Sequence, residues 1–131
     1  MRLKRNRIKG YYLRKAVPQK DREGNSYIEY ETPHSFNGEV WPAGGKIQAE
    51  LYGNRLSYIR NVRIDEKYTI KEDEKGIIHY ICDNGVDIVE GDGMCLYVSA
   101  GAMPDYKVIS IKPYRHLRLE VEKLDHRICE V

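Results

Sequence analysis

The sequence predicts an all-β fold, a small antiparallel β-barrel with long loops and at most one short helix. Three observations carry that expectation. From Leu117 onward, Leu117, Leu119 and Val121 alternate with His116, Arg118, Glu120 and Glu122, the period of a strand with one buried face. Turn signals recur at short intervals, at Gly24-Asn25, Asn37-Gly38, Gly44-Gly45, Gly53-Asn54, Asn84-Gly85 and Gly91-Asp92-Gly93, with runs rich in Tyr, Ile and Val between them. Helical periodicity is confined to Arg55 to Arg63, where Leu56 and Ile59 share a face, so this segment reads as a strand or as one to two helical turns. Many short strands point to a closed barrel or a sandwich, because closure removes the edges that otherwise aggregate.

Taken in order, the strands are expected at Tyr11 to Val17, Ser26 to Glu31, Phe36 to Trp41, Lys46 to Tyr52, Tyr68 to Lys71, Ile77 to Cys82, Val86 to Val89 and Met94 to Ser99. A closing ribbon follows over residues 104 to 124. In it Ile109 and Ile111 share one face, Val108 and Ser110 the other, and Lys112-Pro113-Tyr114-Arg115 forms the connection. Asp83-Asn84-Gly85 marks a tight hairpin. Pro18 to Gly45, with three prolines, reads as a protruding hairpin or long loop with a strand returning at Val40-Trp41. Trp41 is expected to anchor the core.

The 131 residues suit one domain, with a basic segment at 1–10 and the long loop at 18–45. Hydrophobic residues make up 41% and charged residues 32%, so a globular chain with a polar surface is expected rather than a disordered one. No run approaches a membrane span, and the basic MRLKRNRIKG is not followed by the apolar run of a signal peptide; neither membrane association nor secretion is expected. Three cysteines without a CxxC pair suit buried, reduced thiols. The charge is uneven. Residues 1–22 hold nine Lys or Arg and one acid, and the remainder holds thirteen bases and nineteen acids, so a net +8 faces a net −6. A basic arm bearing Arg2, Lys4, Arg5, Arg7 and Lys9 suits contact with DNA or an acidic partner, or simple solvation.

His34 beside Ser35, His79, His116 and His126 stand in no nucleophile-elbow or triad context. A zinc site from His79, Cys82 and Cys95 is disfavoured because a His-x-x-Cys spacing within one strand puts the two side chains on opposite faces. Asp83, Asp87, Glu90 and Asp92 lack calcium-loop spacing and read as turn chemistry. Eleven tyrosines suit a stacking surface for single-stranded nucleic acid, but Tyr11, Tyr58, Tyr97 and Tyr106 are spread along the chain and equally suit a core or a barrel rim. No enzyme, metal or cofactor is expected. Binding and assembly lead.

Two blocks carry a family resemblance. Val40-Trp41-Pro42-Ala43-Gly44-Gly45-Lys46-Ile47-Gln48-Ala49-Glu50-Leu51-Tyr52-Gly53 is followed by Arg55-Leu56-Ser57-Tyr58; Pro104-Asp105-Tyr106-Lys107-Val108-Ile109-Ser110-Ile111-Lys112-Pro113-Tyr114 leads into the closing strand. Together they resemble the small head-tail connector proteins, of head-closure or stopper type, of long-tailed phages and prophages of Gram-positive bacteria. The resemblance implies a compact β-barrel with long loops, set as a homo-oligomeric ring below the portal and adaptor, through which DNA passes and onto which the tail docks. It places the protein in the virion, and in the host cytoplasm during assembly. The loop residues Gln19, Lys20, Asp21, Arg22, Tyr27 and Tyr30 would then meet a partner or the channel. Charge pairs of Arg118 with Glu120 or Glu122 would bridge neighbouring subunits. The basic N-terminus and the C-terminal LDHRICEV extend beyond the shorter members of that group. The alternative is a nucleic-acid-binding β-barrel that binds single strands without catalysis.

Overall fold

The computed structural model describes residues 8–124. The strands are β1 (Lys9–Arg14), β2 (Ala16–Lys20), β3 (Ser26–Tyr30), β4 (His34–Pro42), β5 (Ile59–Ile64), β6 (Tyr68–Glu72), β7 (Ile78–Cys82), β8 (Asp87–Ile88), β9 (Gly93–Cys95), β10 (Tyr106–Pro113) and β11 (Leu117–Lys123). A helix α1 (Gly45–Tyr52) and a 3-10 helix (Gly53–Tyr58) separate β4 from β5. Strands β1-β4-β5-β11-β10-β9 close into an antiparallel barrel, flanked by the two-stranded sheet β2-β3 and the three-stranded sheet β6-β7-β8. The predicted fold class is the one observed.

Alternation sets the inside of the barrel. Val40 pairs with Val62, Val62 with Leu119 and Leu119 with Ile111, so one ring of apolar side chains runs around four strands. Leu13, Phe36, Ile64, Met94, Leu96, Tyr106, Val108, Leu117 and Val121 complete the core, and Cys82 of β7, Ile88 of β8 and Val86 of the turn between them pack into the same cluster. Each such side chain stabilises the fold by roughly 1.5–3 kcal/mol relative to exposure.

The departures from expectation have local causes. The register of β10 against β11 shifts between Val108 and Ser110, leaving Ile109 as a bulge residue. One extra residue reverses the alternation, so Val108 and Ile111 are the buried pair and Ile109 stands half-exposed. The segment Lys46 to Tyr52 is α1 and not a strand. Its apolar positions Ile47, Ala49 and Leu51 mimic a period of two, but Lys, Gln, Ala, Glu and Leu are strong helix formers, and that propensity wins. Gly53 ends the helix at φ 55°, its N–H donating to the Ala49 carbonyl. Arg55 to Arg63 divides into the 3-10 turn and β5. The run expected from Tyr11 to Val17 breaks at Lys15, and Met94 to Ser99 is paired only as far as Cys95. Beyond it the Asp105 carboxylate accepts hydrogen bonds from the N–H groups of Leu96 (2.9 Å) and Tyr97 (3.0 Å), diverting the chain into a loop.

The hairpin expected between Pro18 and Gly45 is β2-β3, paired from Ala16↔Tyr30 to Lys20↔Ser26, with β4 returning from His34. Its base is fixed to the barrel. Asp92 accepts from Lys15 Nζ (2.8 Å), from the Ala16 N–H (3.2 Å) and from the Val89 N–H (2.9 Å). Arg14 donates to the carbonyls of Glu31, Tyr30 and Ala102. Gly93 lets the Tyr30 ring and Pro104 close in, since a Cβ there would stand 2.8 Å from Tyr30 Cε1 and 2.6 Å from Pro104 Cγ.

Candidate docking surfaces of the barrel

On the outer wall, antiparallel partners share a face, so Trp41, Asn61 and Glu120 line up across β4, β5 and β11 beneath α1. Strand alternation puts Glu120 on the polar face, yet it is 1% exposed. Gln48 and Tyr52, one helical turn apart on α1, both reach down to it. Gln48 Nε2 donates to Glu120 Oε2 and to Asn61 Oδ1, each at 2.7 Å, and Tyr52 Oη donates to Glu120 Oε1 at 2.7 Å. Lys112 Nζ stands 3.2 Å from Glu120 Oε1. Burial opposes ionisation of Glu120, but the hydrogen bonds from Gln48, Tyr52 and Lys112 together with the lysine's charge outweigh it and hold the carboxyl below its usual range. Burial, then the bond to Glu120, push the Tyr52 phenol well up.

This cluster corrects the expected intersubunit pairs. Glu120 is spent inside its own chain. Glu122 accepts from Arg55 Nη2 (2.6 Å) and Nε (2.9 Å), and the Arg118 guanidinium lies over the rings of Trp41 (5.2 Å) and Tyr114 (5.8 Å). Trp41 is likewise not a core residue; it stands half-exposed on the outer wall, absent from the core cluster.

The polar underside of α1 leaves its apolar residues outside. No residue of the helix is buried, and Ile47 is 81% and Leu51 64% exposed. Beside them lies a groove of ≈ 650 Å³ whose wall includes Trp41, Ile47, Leu51, Tyr114 and Arg118.

The hairpin is the second surface. Asp21 is the turn former, accepting at Oδ1 from the N–H groups of Glu23 and Asn25, both at 2.9 Å. Lys20 and Arg22 are exposed beside it, Gln19 is half-buried and Tyr30 packs at the base. Tyr27 is 44% exposed, its hydroxyl 3.2 Å from Glu29 Oε1. Lys9 is exposed at the start of β1, at the end remote from the hairpin; Arg2, Lys4, Arg5 and Arg7 lie outside the described residues. The structure therefore groups Lys20, Arg22 and Tyr27 and keeps Lys9 apart.

The other candidates serve the fold. His79 Nδ1 lies 2.8 Å from Asp87 Oδ2 and its Nε2 2.9 Å from Asp73 Oδ2, tying the β6-β7 turn to β8. Cys82 is a buried thiol pushed up to about 11 by burial and by nearby Glu66, Asp83 and Asp87, and Cys95 is buried on a barrel strand. His34 and His116 are exposed, and His126 and Cys129 lie outside the described residues. Among the described residues no three His, Cys, Asp or Glu side chains gather as a metal site. Tyr11 packs on Phe36 and Tyr97 on Tyr106, while Tyr58 is exposed. The Gln48–Tyr52–Asn61–Lys112–Glu120 cluster leaves no mark in strand alternation; its one sequence signal is the i, i+4 spacing of Gln48 and Tyr52, which pairs them only when α1 is read as a helix. No family model matches the chain, and no match arises among curated proteins or solved structures.

Proposed function

We propose that the chain is a non-enzymatic virion assembly protein, a head-tail connector that closes the DNA-filled head below the portal and adaptor and offers the tail a docking ring. The two sequence blocks that resemble such connectors support the reading. The observation that carries it is the placement of two exposed surfaces on opposite walls of one closed barrel. The hairpin is fixed at β1 and β9 through Ala16, Tyr30 and Gly93, and the α1 groove is centred on β5 and β11. In the barrel order these pairs of strands are diametrically opposed. A subunit with neighbours on both sides needs that arrangement. The hairpin tip, with Lys20, Asp21 and Arg22, then faces the channel or a partner ring, and contact with packaged DNA is through phosphate neutralisation without sequence preference.

Removing the chain from an otherwise intact phage genome is the test. Filled heads that leak DNA and free tails are expected. Normal tailed particles would refute the proposal.

A second reading, a nucleic-acid-binding barrel, draws on the Arg118 guanidinium between Trp41 and Tyr114 with exposed Lys46 nearby. Single-stranded DNA titrated against salt separates the two. The connector should bind with a Kd on the order of 10⁻⁴ to 10⁻⁶ M, weakening steeply with salt. Changing Arg2, Lys4, Arg5, Arg7 and Lys9 to Ser should weaken it further. Tight binding that survives both the salt and the substitutions would favour stacking, at roughly 1–3 kcal/mol per base, and the second reading.

A further inference from the structure

We infer that the occupant of the α1 groove is the β2-β3 hairpin of a second copy of this chain, so that copies join head to tail. The inference rests on the connector reading and names its subunit contact.

The two surfaces match in charge and in apolar character. Of the residues lining the groove, Lys46, Lys112 and Arg118 are cations and Glu120 is an anion, a balance of 3 − 1 = +2. Lys112 and Glu120 satisfy one another, which leaves Lys46 and Arg118 to set the sign the groove presents. The hairpin segment Ser26 to Glu31, SYIEYE, carries two acids and no base, a balance of −2. Its alternation puts Tyr27, Glu29 and Glu31 on one face and Ile28 and Tyr30 on the other. At the hairpin base Tyr30 is turned to the barrel at Gly93 and the Tyr27 face is turned away from it, while Ile28, nearer the tip on the Tyr30 face, is 49% exposed. The Tyr27 face offers one exposed aromatic ring followed by two carboxylates about 6–7 Å apart. The groove offers an apolar ridge, Ile47 and Leu51, beside the two cations. Tyr27 seats against the ridge and the carboxylates meet Lys46 and Arg118.

Topology excludes the same contact within one chain. The hairpin is held at β1 and β9 by Asp92, Arg14 and Tyr30, and the groove lies across the barrel at β5 and β11. A surface and its complement on opposite walls make a heterologous contact, which repeats around a ring when the rotation closes. The contact is small, so isolated copies associate weakly and the ring gains from many repeats.

Cysteine cross-linking tests this. In a Cys129→Ser background, with Cys82 and Cys95 buried, Tyr27→Cys and Leu51→Cys chains are mixed under mild oxidation at a concentration on the order of 1 mM, where a contact with a Kd of about 1 mM is substantially populated. The control partner for Tyr27→Cys is Lys71→Cys, exposed on β6. The Tyr27→Cys with Leu51→Cys dimer should exceed the control by about tenfold, the double variant should build a ladder of oligomers, and adding Glu29→Lys with Glu31→Lys should lower the yield by about tenfold. Yields equal to the control, a double variant that closes on itself as a monomer, or indifference to the charge reversal would each overturn the inference. Failure of the connector reading shows elsewhere: tails that join heads without this chain sink that reading and leave the cross-link pattern untouched. A chain required for joining that gives no cross-link sinks only the hairpin-to-groove contact.

Discussion

Replacing Glu120 by Gln keeps the shape of the side chain and removes its charge from the most buried polar position on the outer wall. Two bonds of 2.7 Å end on this carboxylate, from Gln48 and Tyr52. Hydrogen bonds to a charged group contribute about 1.5–3 kcal/mol each. The Lys112 side chain is 32% exposed, so water takes over its solvation when the pair is lost and that pair adds little. The amide retains one acceptor and turns an N–H₂ toward a donor, so about one of the two strong bonds is lost, and Glu120→Gln should cost about 1.5–3 kcal/mol. Glu120→Ala loses both, at about 3–5 kcal/mol. Urea unfolding reads both numbers, and for a chain of this size the larger one lowers Tm by roughly 10 °C or more. The carboxyl is held below its ordinary 4.5, so its contribution is complete above that pH and disappears as pH falls through the folded-state value. In the Gln variant that part of the acid dependence should vanish. A Gln variant as stable as the parent, with an unchanged acid limb, would show that the cluster does not hold α1 to the wall.

Three further outcomes are expected. His79 is held above its ordinary 6.5 by its bonds to Asp73 and Asp87, so its stabilising effect is complete below that pH and fades as pH rises through the raised value; imidazole NMR titration should show the elevation, and Asp87→Asn should reduce it. Gly93→Ala drives a Cβ to within 3 Å of Pro104 and the Tyr30 ring, so a loss of roughly 1–3 kcal/mol and faster proteolysis of the hairpin should follow. Replacing Gln19 to Pro33 by a short Gly-Ser turn should leave the barrel folded, as far-UV circular dichroism and a cooperative melt would show, while tail joining is lost; collapse of the melt would make the hairpin part of the core instead.

The barrel was legible because strand alternation and turn residues are local signals that burial reinforces. Leu117, Leu119 and Val121 had to face inward whatever their neighbours. Alternation fails where a neighbour decides the geometry. The bulge at Ile109 arises from the fit of β10 on β11 and leaves no mark in either strand alone. Glu120 reads as solvated because nothing in its own strand announces the helix that covers it. In α1 period and propensity disagree: the alternation of Ile47, Ala49 and Leu51 suggests a strand, while the composition favours the helix that forms. Residue type alone suggests an inward Trp41, but the strand phase set by Val40 turns it out. The hairpin's turn chemistry was visible at Gly24-Asn25, whereas the Asp92 anchor at its base joins residues too distant in sequence to be paired by reading.

Trp41 is the only tryptophan in the chain, and its ring lies beneath the Arg118 guanidinium in the groove wall. The indole emission of the whole protein therefore originates at one surface. A partner that seats there dries the ring and displaces a cation from its face, changing both the wavelength and the yield of fluorescence, whereas a partner that meets only the hairpin tip leaves the spectrum as it was. The protein carries its own optical gauge of which wall is occupied, and assembly at that wall can be followed in solution without attaching a dye.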